Sequence, residues 1–231
     1  MTITLITGAN KGLGYETARR LVEAGHTVYV GARNIERGQK AATELGARFV
    51  HLDVTDDASV AAAMTTIGDA EGRLDVLVNN AAIGDGAGVD GINGPGALNQ
   101  FDTNVIGVIR VTQAALPLLR KSENPVVVNV SSSLGSFWAV TNPERHESHS
   151  SFIVYGASKA AVSMLTVQYA KAVPEITFNA VEPGYTATDF TASFGGGRPV
   201  EESAQVVVRM ATIGPDGPTG TFQETAGELG W

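Results

Sequence analysis

Short, β-branched and almost wholly apolar runs alternate along the chain with Ala-rich stretches of helical spacing, from the first residues to about residue 180. The runs Ile3–Thr7, Thr27–Val30, Arg48–Leu52, Val76–Asn79, Val126–Ser131 and Ile176–Val181 predict strands. Most of them lack polar alternation, so neither face looks toward water and the sheet they build is covered on both sides. Strands separated by helix-length segments need right-handed crossovers, which makes that sheet parallel. The expectation is an α/β protein with one doubly wound domain over residues 1–231 and helices on both faces of the sheet. Helical composition is clearest in Tyr15–Ala24 and Tyr155–Val173. Three segments break the rhythm: residues 83–96, rich in glycine; 140–151, which read VTNPERHESHSS; and 184–198. Each follows the carboxyl end of a strand, where open α/β sheets bind ligands, and is expected to be a substrate loop.

Composition narrows the class. A chain of 231 residues with 43% hydrophobic positions buries roughly 70% of the surface its unfolded form exposes, ample for its own core. Lys and Arg number 16 against 24 Asp and Glu, and the net charge of -8 excludes a general nucleic-acid or anionic-membrane binder. An anionic ligand must therefore be met by local groups. The apolar stretches are interrupted by Arg110, Pro117 or glycine well short of the roughly 20 residues of a membrane helix. The opening MTITLITG reads as a strand and its exit turn rather than a secretion leader. With no cysteine there is no disulfide, thiolate metal site or cysteine nucleophile, and the expected location is the cytoplasm.

The first strand runs straight into Thr7-Gly8-Ala9-Asn10-Lys11-Gly12-Leu13-Gly14 and then a helix. Glycines there permit a tight turn and let backbone N–H groups approach a phosphate at a helix N-terminus. Tyr155 and Lys159, four residues apart in YGASK, share one face of the second helix. Ser131-Ser132-Ser133 cluster at the end of the fifth strand, and Asn104 sits in FDTNVIGV on an expected helix facing the sheet. His146 and His149 form only a lone pair in a polar loop and are not read as metal ligands.

Taken in order, TGxxxGxG, LDVTD, NNAA, TN, NVSSSLG, YGASK and EPGYTAT resemble the short-chain dehydrogenase/reductase family, in particular its carbonyl-reductase-like members, over essentially the whole chain. The resemblance implies a Rossmann fold and an NADP(H)-dependent oxidoreductase that interconverts a small-molecule ketone or aldehyde and its alcohol. It implies Tyr155 as catalytic acid/base, Lys159 as its partner and a ribose contact, Ser132 as the donor to the substrate carbonyl, and Asn104 as the holder of a relay water. It also implies a cofactor site of Gly8, Asn10, Lys11, Gly12, Leu13, Gly14, Asp53, Val54, Asn80, Tyr155, Lys159 and Thr188, and assembly as a homodimer or homotetramer. Ala82 stands where the family pattern NNAG has glycine, which bears on the loop only if that residue needs positive φ.

The choice between cofactors has its own signal. An acid at the end of the second strand would hold the ribose 2′-hydroxyl of NAD, but the chain reads YVGARN, with no carboxylate before Glu36. Arg33 offers a planar fork to a 2′-phosphate and Lys11 a second cation, so NADPH is expected. Two alternatives remain. A non-catalytic NADP-binding sensor would be expected to lack the Tyr155 or Lys159 present here. A related epimerase or dehydratase would show TGxxGxxG and a much longer C-terminal region than the 42 residues after Asp189. The 22 residues between Ser132 and Tyr155 read as an insertion over the substrate end, with His146, His149, Phe152 and Val154 as candidate pocket residues.

Overall fold

The computed structural model describes residues 1–84, 89–189, 191 and 195–231. Parts of two expected substrate loops, residues 85–88, 190 and 192–194, lie outside the described residues. Strands β1 (Ile3–Thr7), β2 (Thr27–Ala32), β3 (Arg48–His51), β4 (Val76–Asn79), β5 (Val126–Val130) and β6 (Thr177–Glu182) fall where the apolar runs placed them, with ends shifted by a residue or two. Beyond them lie β7 (Thr221–Glu224) and β8 (Gly227–Glu228), which sequence reading missed because one is only four residues long, mostly polar, and the other only two. The order is β3-β2-β1-β4-β5-β6-β7-β8. All pairings are parallel except β7 with β8, so the expected parallel sheet carries an antiparallel edge.

Successive residues of a strand point to opposite faces, and here each face meets its own apolar layer. Leu5, Leu77 and Val127 enter one cluster with Ile67, Leu116 and Leu119 of α3 (Asp57–Glu71) and α5 (Gly107–Leu119). Ile6, Val78 and Val128 enter the other with Leu21 of α1 (Gly12–Glu23), Ala41 of α2 (Ile35–Leu45) and Val207 of α8 (Val200–Ala211). That double cover is why the strands carry no polar alternation. A chain of buried amides and hydroxyls crosses the first layer: Asn79 Nδ2 donates to Thr112 Oγ1 and Asn129 Oδ1, and Asn129 Nδ2 donates to Thr166 Oγ1 on α7 (Ile153–Ala172). Each of these four side chains thereby has a hydrogen-bond partner, and the centre of the sheet is keyed to α5 and α7.

The segment after β5 is more structured than a solvated overhang. It holds α6 (Phe137–Thr141) and a 3₁₀ turn at His146–His149, numbered after α4 (Gly94–Phe101) and α5 in chain order. Ser136 Oγ donates to Gly230 O at 2.6 Å, Trp138 N donates to Trp231 O at 3.0 Å, and the Trp231 ring stacks on Phe222 at 5.3 Å. The chain terminus is thus folded back against α6. Arg145 reaches from this segment to both Glu147 and Glu224, with its guanidinium 5.5 Å from the Trp138 ring centre.

Candidate active site

The strand order reverses between β1 and β4, and the glycine turn leaves β1 at that switch point. Gly8 and Gly12 adopt φ of 67° and 55°, in the left-handed region that a Cβ disfavours. Asn80, expected to touch the cofactor, also builds the turn: its Nδ2 donates to Thr7 O at 2.8 Å and Gly8 O at 3.3 Å. Asn34 and Asp56 cap α2 and α3 through their side chains, whereas Lys11 at the N-cap of α1 supplies no such bond. Among the described residues the first N–H groups of α1 therefore have no side-chain acceptor, a setting that fits a phosphate. Ala82 keeps a negative φ, since among the described residues only glycines have positive φ, and its methyl group leaves the backbone unstrained.

Around this turn the remaining expected cofactor residues divide. Asp53 Oδ1 accepts from Thr55 N and Thr55 Oγ1. Burial pushes its carboxyl up, but the Thr55 hydrogen bonds, with Arg33 and His51 nearby, bring it below the usual carboxylate range. Val54 is buried, its carbonyl bound by Arg110, while Asn10 and Leu13 are partly exposed on the turn. Arg33 is exposed at the end of β2, and among the described residues no carboxylate pairs with it. Lys11 lies elsewhere: its Nζ pairs with Asp189 at 3.0 Å, across from Thr188, whose Cγ2 lies 3.3 Å from where a Cβ on Gly12 would stand. The two cations expected near one phosphate are thus differently engaged, one open and one held by the 184–189 turn.

At the end of β5 the chain enters a 3₁₀ turn, Ser133–Gly135, capped by Ser132. A Cβ on Gly135 would stand 2.5 Å from Ala160 N and from Lys159 C, so only glycine lets this turn lie on the backbone of α7. That contact brings Ser132 to Tyr155, and their hydroxyls are hydrogen-bonded. Lys159 is 3% exposed; its Nζ donates to Val130 O at 2.7 Å and lies 5.6 Å from the Tyr155 ring centre. Burial lowers the Lys159 ammonium to about 8, against a nearby Glu182 that raises it. Burial and Glu182 push the Tyr155 phenol well above its ordinary value, opposed by the Ser132 hydrogen bond.

Asn104 sits in a π-helical turn, Asp102–Ile106, rather than a regular helix, a local form frequent at functional sites. Its Oδ1 accepts from Ile83 N at 2.8 Å, and its Nδ2 donates to Ile83 O at 2.9 Å and Ser158 Oγ at 3.1 Å. Ser158 Oγ donates in turn to Tyr155 O. The amide expected to hold a relay water is thus engaged in joining the Ile83 loop to α7.

Sequence reading gave no role to Glu182, Glu147 or Arg145. One signal was available for Glu182: a charged residue closing the otherwise buried run of β6, just before Pro183-Gly184.

A doubly wound sheet with a phosphate-shaped turn at its switch point and a Ser–Tyr–Lys set at the end of β5 defines a dinucleotide-dependent oxidoreductase class. Comparison with known proteins agrees. The short chain dehydrogenase family model matches residues 2–198, and the chain belongs to that family. (-)-Isopiperitenone reductase of Mentha piperita is 32% identical, covering 94% of both chains. Among solved structures, the NADPH-bound carbonyl reductase from chicken fatty liver superposes with a TM-score of 0.88 at 26% identity, covering 100% of both chains. Salutaridine reductase from Papaver somniferum gives 0.85 at 28%, covering 96% of this chain and 99% of the other.

Proposed function

We propose that this protein is an NADPH-dependent reductase of a small-molecule ketone or aldehyde. The observation that carries the proposal is the hydrogen-bonded Ser132–Tyr155 pair with Lys159 beside the Tyr155 ring. A general acid must carry its proton at working pH, and burial and Glu182 keep it there. Bound NADPH supplies the hydride to the carbonyl carbon. Ser132 and Tyr155 hydrogen-bond the carbonyl oxygen as negative charge develops on it, and Tyr155 passes its proton to that oxygen, leaving phenolate. Lys159 stabilises the phenolate; one of its three donors holds Val130 O, and among the described residues no hydrogen bond takes the other two, which suit the cofactor ribose. Asn104 contributes by fixing α7 against the Ile83 loop. The glycine turn and uncapped α1 would hold the pyrophosphate, Asp53 Oδ2 the adenine, and Arg33 a 2′-phosphate. The NADPH-bound carbonyl reductase of chicken fatty liver, which this chain resembles over its whole length, supports this assignment.

The test is NADPH oxidation across a panel of carbonyl compounds with wild type and Tyr155→Phe. Phe keeps the ring and removes the donor, and turnover is expected to fall about 10²–10⁴-fold while NADPH binding persists. A folded, NADPH-binding Tyr155→Phe protein within tenfold of wild type overturns the mechanism. A wild type that binds NADPH and reduces nothing favours the sensor.

A further inference from the structure

The last residue of β6 is a glutamate enclosed at the base of the site. Glu182 is 7% exposed, and backbone N–H groups engage both oxygens: Ser133 N donates to Oε2, and Gly184 N donates to Oε1 at 2.5 Å. Ser133 follows Ser132 directly, and Gly184 opens the turn that leads to Thr188. A single carboxylate therefore ties the hydroxyl-bearing turn after β5 to the turn after β6. The register brings it under the reacting pair. Val130 is the partner of Val181, and Lys159 is anchored on Val130 O, so Glu182 stands one residue beyond that anchor on the adjacent strand.

Charged groups face it from each neighbouring element. From α7 come Tyr155 and Lys159, on both of which its charge acts. From the 3₁₀ turn after α6 comes Glu147, hydrogen-bonded to Ser133 and paired with Arg145. From β7 comes Glu224, the cross-strand partner of Glu182, held by the same Arg145. The Arg198 guanidinium packs against Gly184. Burial, with Glu147 beside it, pushes the Glu182 carboxyl above its ordinary value, and the Ser133 and Gly184 N–H groups draw it back toward the carboxylate.

We infer that Glu182 is a positioning residue: its carboxylate holds the Ser132 turn in place and keeps both protons on the Tyr155–Lys159 pair. With Glu182 ionised and Lys159 protonated, the buried trio is neutral. Neutralising Glu182 leaves a buried net positive charge, so the first proton leaves at lower pH whichever of the two groups loses it. Reduction consumes that proton. Glu182 thereby extends reduction to higher pH, a consequence that rests on the reductase reading, whereas its hold on the pair does not.

Two measurements separate these. The first is kcat against pH for carbonyl reduction by wild type, Glu182→Gln and Glu182→Asp. The alkaline limb of Glu182→Gln is expected about one pH unit or more lower, the order produced by a unit charge a few ångströms away in protein. On that limb this is about a tenfold loss of rate. Glu182→Asp, which keeps the charge, is expected to restore the wild-type limb. The second is side-chain NMR titration of Lys159 without cofactor, assigned with Lys159→Met; the midpoint near 8 is expected to drop in Glu182→Gln. A wild type that reduces no carbonyl defeats the reductase reading, and the lysine titration still decides the role of Glu182. An unchanged midpoint, or an unchanged alkaline limb in an active Glu182→Gln enzyme, overturns the inference. Should Glu182→Gln fail to fold, Glu182→Met takes its place. Failure of both neutral variants beside a folded Glu182→Asp would assign the residue to stability alone and equally overturn it.

Discussion

Arg145 holds the segment between Ser132 and Tyr155, and replacing it with Met tests that role. Its guanidinium makes two contacts to Glu147, at 3.1 and 3.2 Å, and two to Glu224, at 3.3 and 3.2 Å. Exposed ion pairs are worth about 0.2–1 kcal/mol, while removing one partner of a buried pair costs about 3–5 kcal/mol. With side-chain exposures of 24% for Arg145, 15% for Glu147 and 23% for Glu224, the node lies between these limits. Arg145→Met is therefore expected to lose about 2–3 kcal/mol by urea unfolding and about 5–10 °C in Tm. The pH dependence adds a check. Burial pushes the Glu147 carboxyl up, but the Ser133 and Arg145 hydrogen bonds hold it below its ordinary value. In wild type its contribution is present above the unfolded pKa and lost as pH falls through the lower folded value. Without Arg145, Glu147 keeps Glu182 as a neighbour but loses its cation, and its folded value rises, so protonation relieves the variant as pH falls. The stability gap between the two proteins should narrow from pH 7 to pH 5. A loss below about 0.5 kcal/mol at pH 7, or a gap that widens toward pH 5, refutes this account of the node. Deleting residues 142–150 removes the same cation and is expected to destabilise the fold as well as alter substrate scope.

Two further outcomes follow from the cofactor side. Arg33→Asp replaces an exposed cation with an anion, so NADPH affinity by fluorescence titration should fall more than tenfold, about 1.4 kcal/mol, with NADH much less affected; parallel losses for both would remove Arg33 from the 2′-phosphate. Gly14→Ala places a Cβ 2.5 Å from Asn80 Nδ2 and 2.8 Å from Gly8 O. It should weaken NADPH binding at least tenfold, and unchanged affinity would show that the turn does not seat the pyrophosphate.

The features readable from the amino-acid order alone are those set by near neighbours. Double-sided burial leaves an apolar run in the chain itself, which is why β1 and β4 appear at their predicted bounds. The spacing of Gly8, Gly12 and Gly14, and the four-residue step from Tyr155 to Lys159, are likewise local, and they mark the glycine turn and the Tyr–Lys pair. β7 escaped notice because its only fully buried side chain is Phe222, whose partners, the neighbouring strand and Trp231, are supplied by the fold. The charge arrangement was equally invisible. Lys11 meets Asp189 178 residues away, Arg145 meets Glu224 79 residues away, and Ser133 meets Glu182 49 residues away. An ion pair between distant segments leaves no periodic trace, because its energy depends on where the backbone delivers two side chains and how much water it excludes. Sequence alone thus determined six strands of the sheet, the glycine turn and the Ser–Tyr–Lys residues; tertiary structure decided the β7–β8 edge and which carboxylates and cations surround that set, because only folding brings those groups within reach of one another.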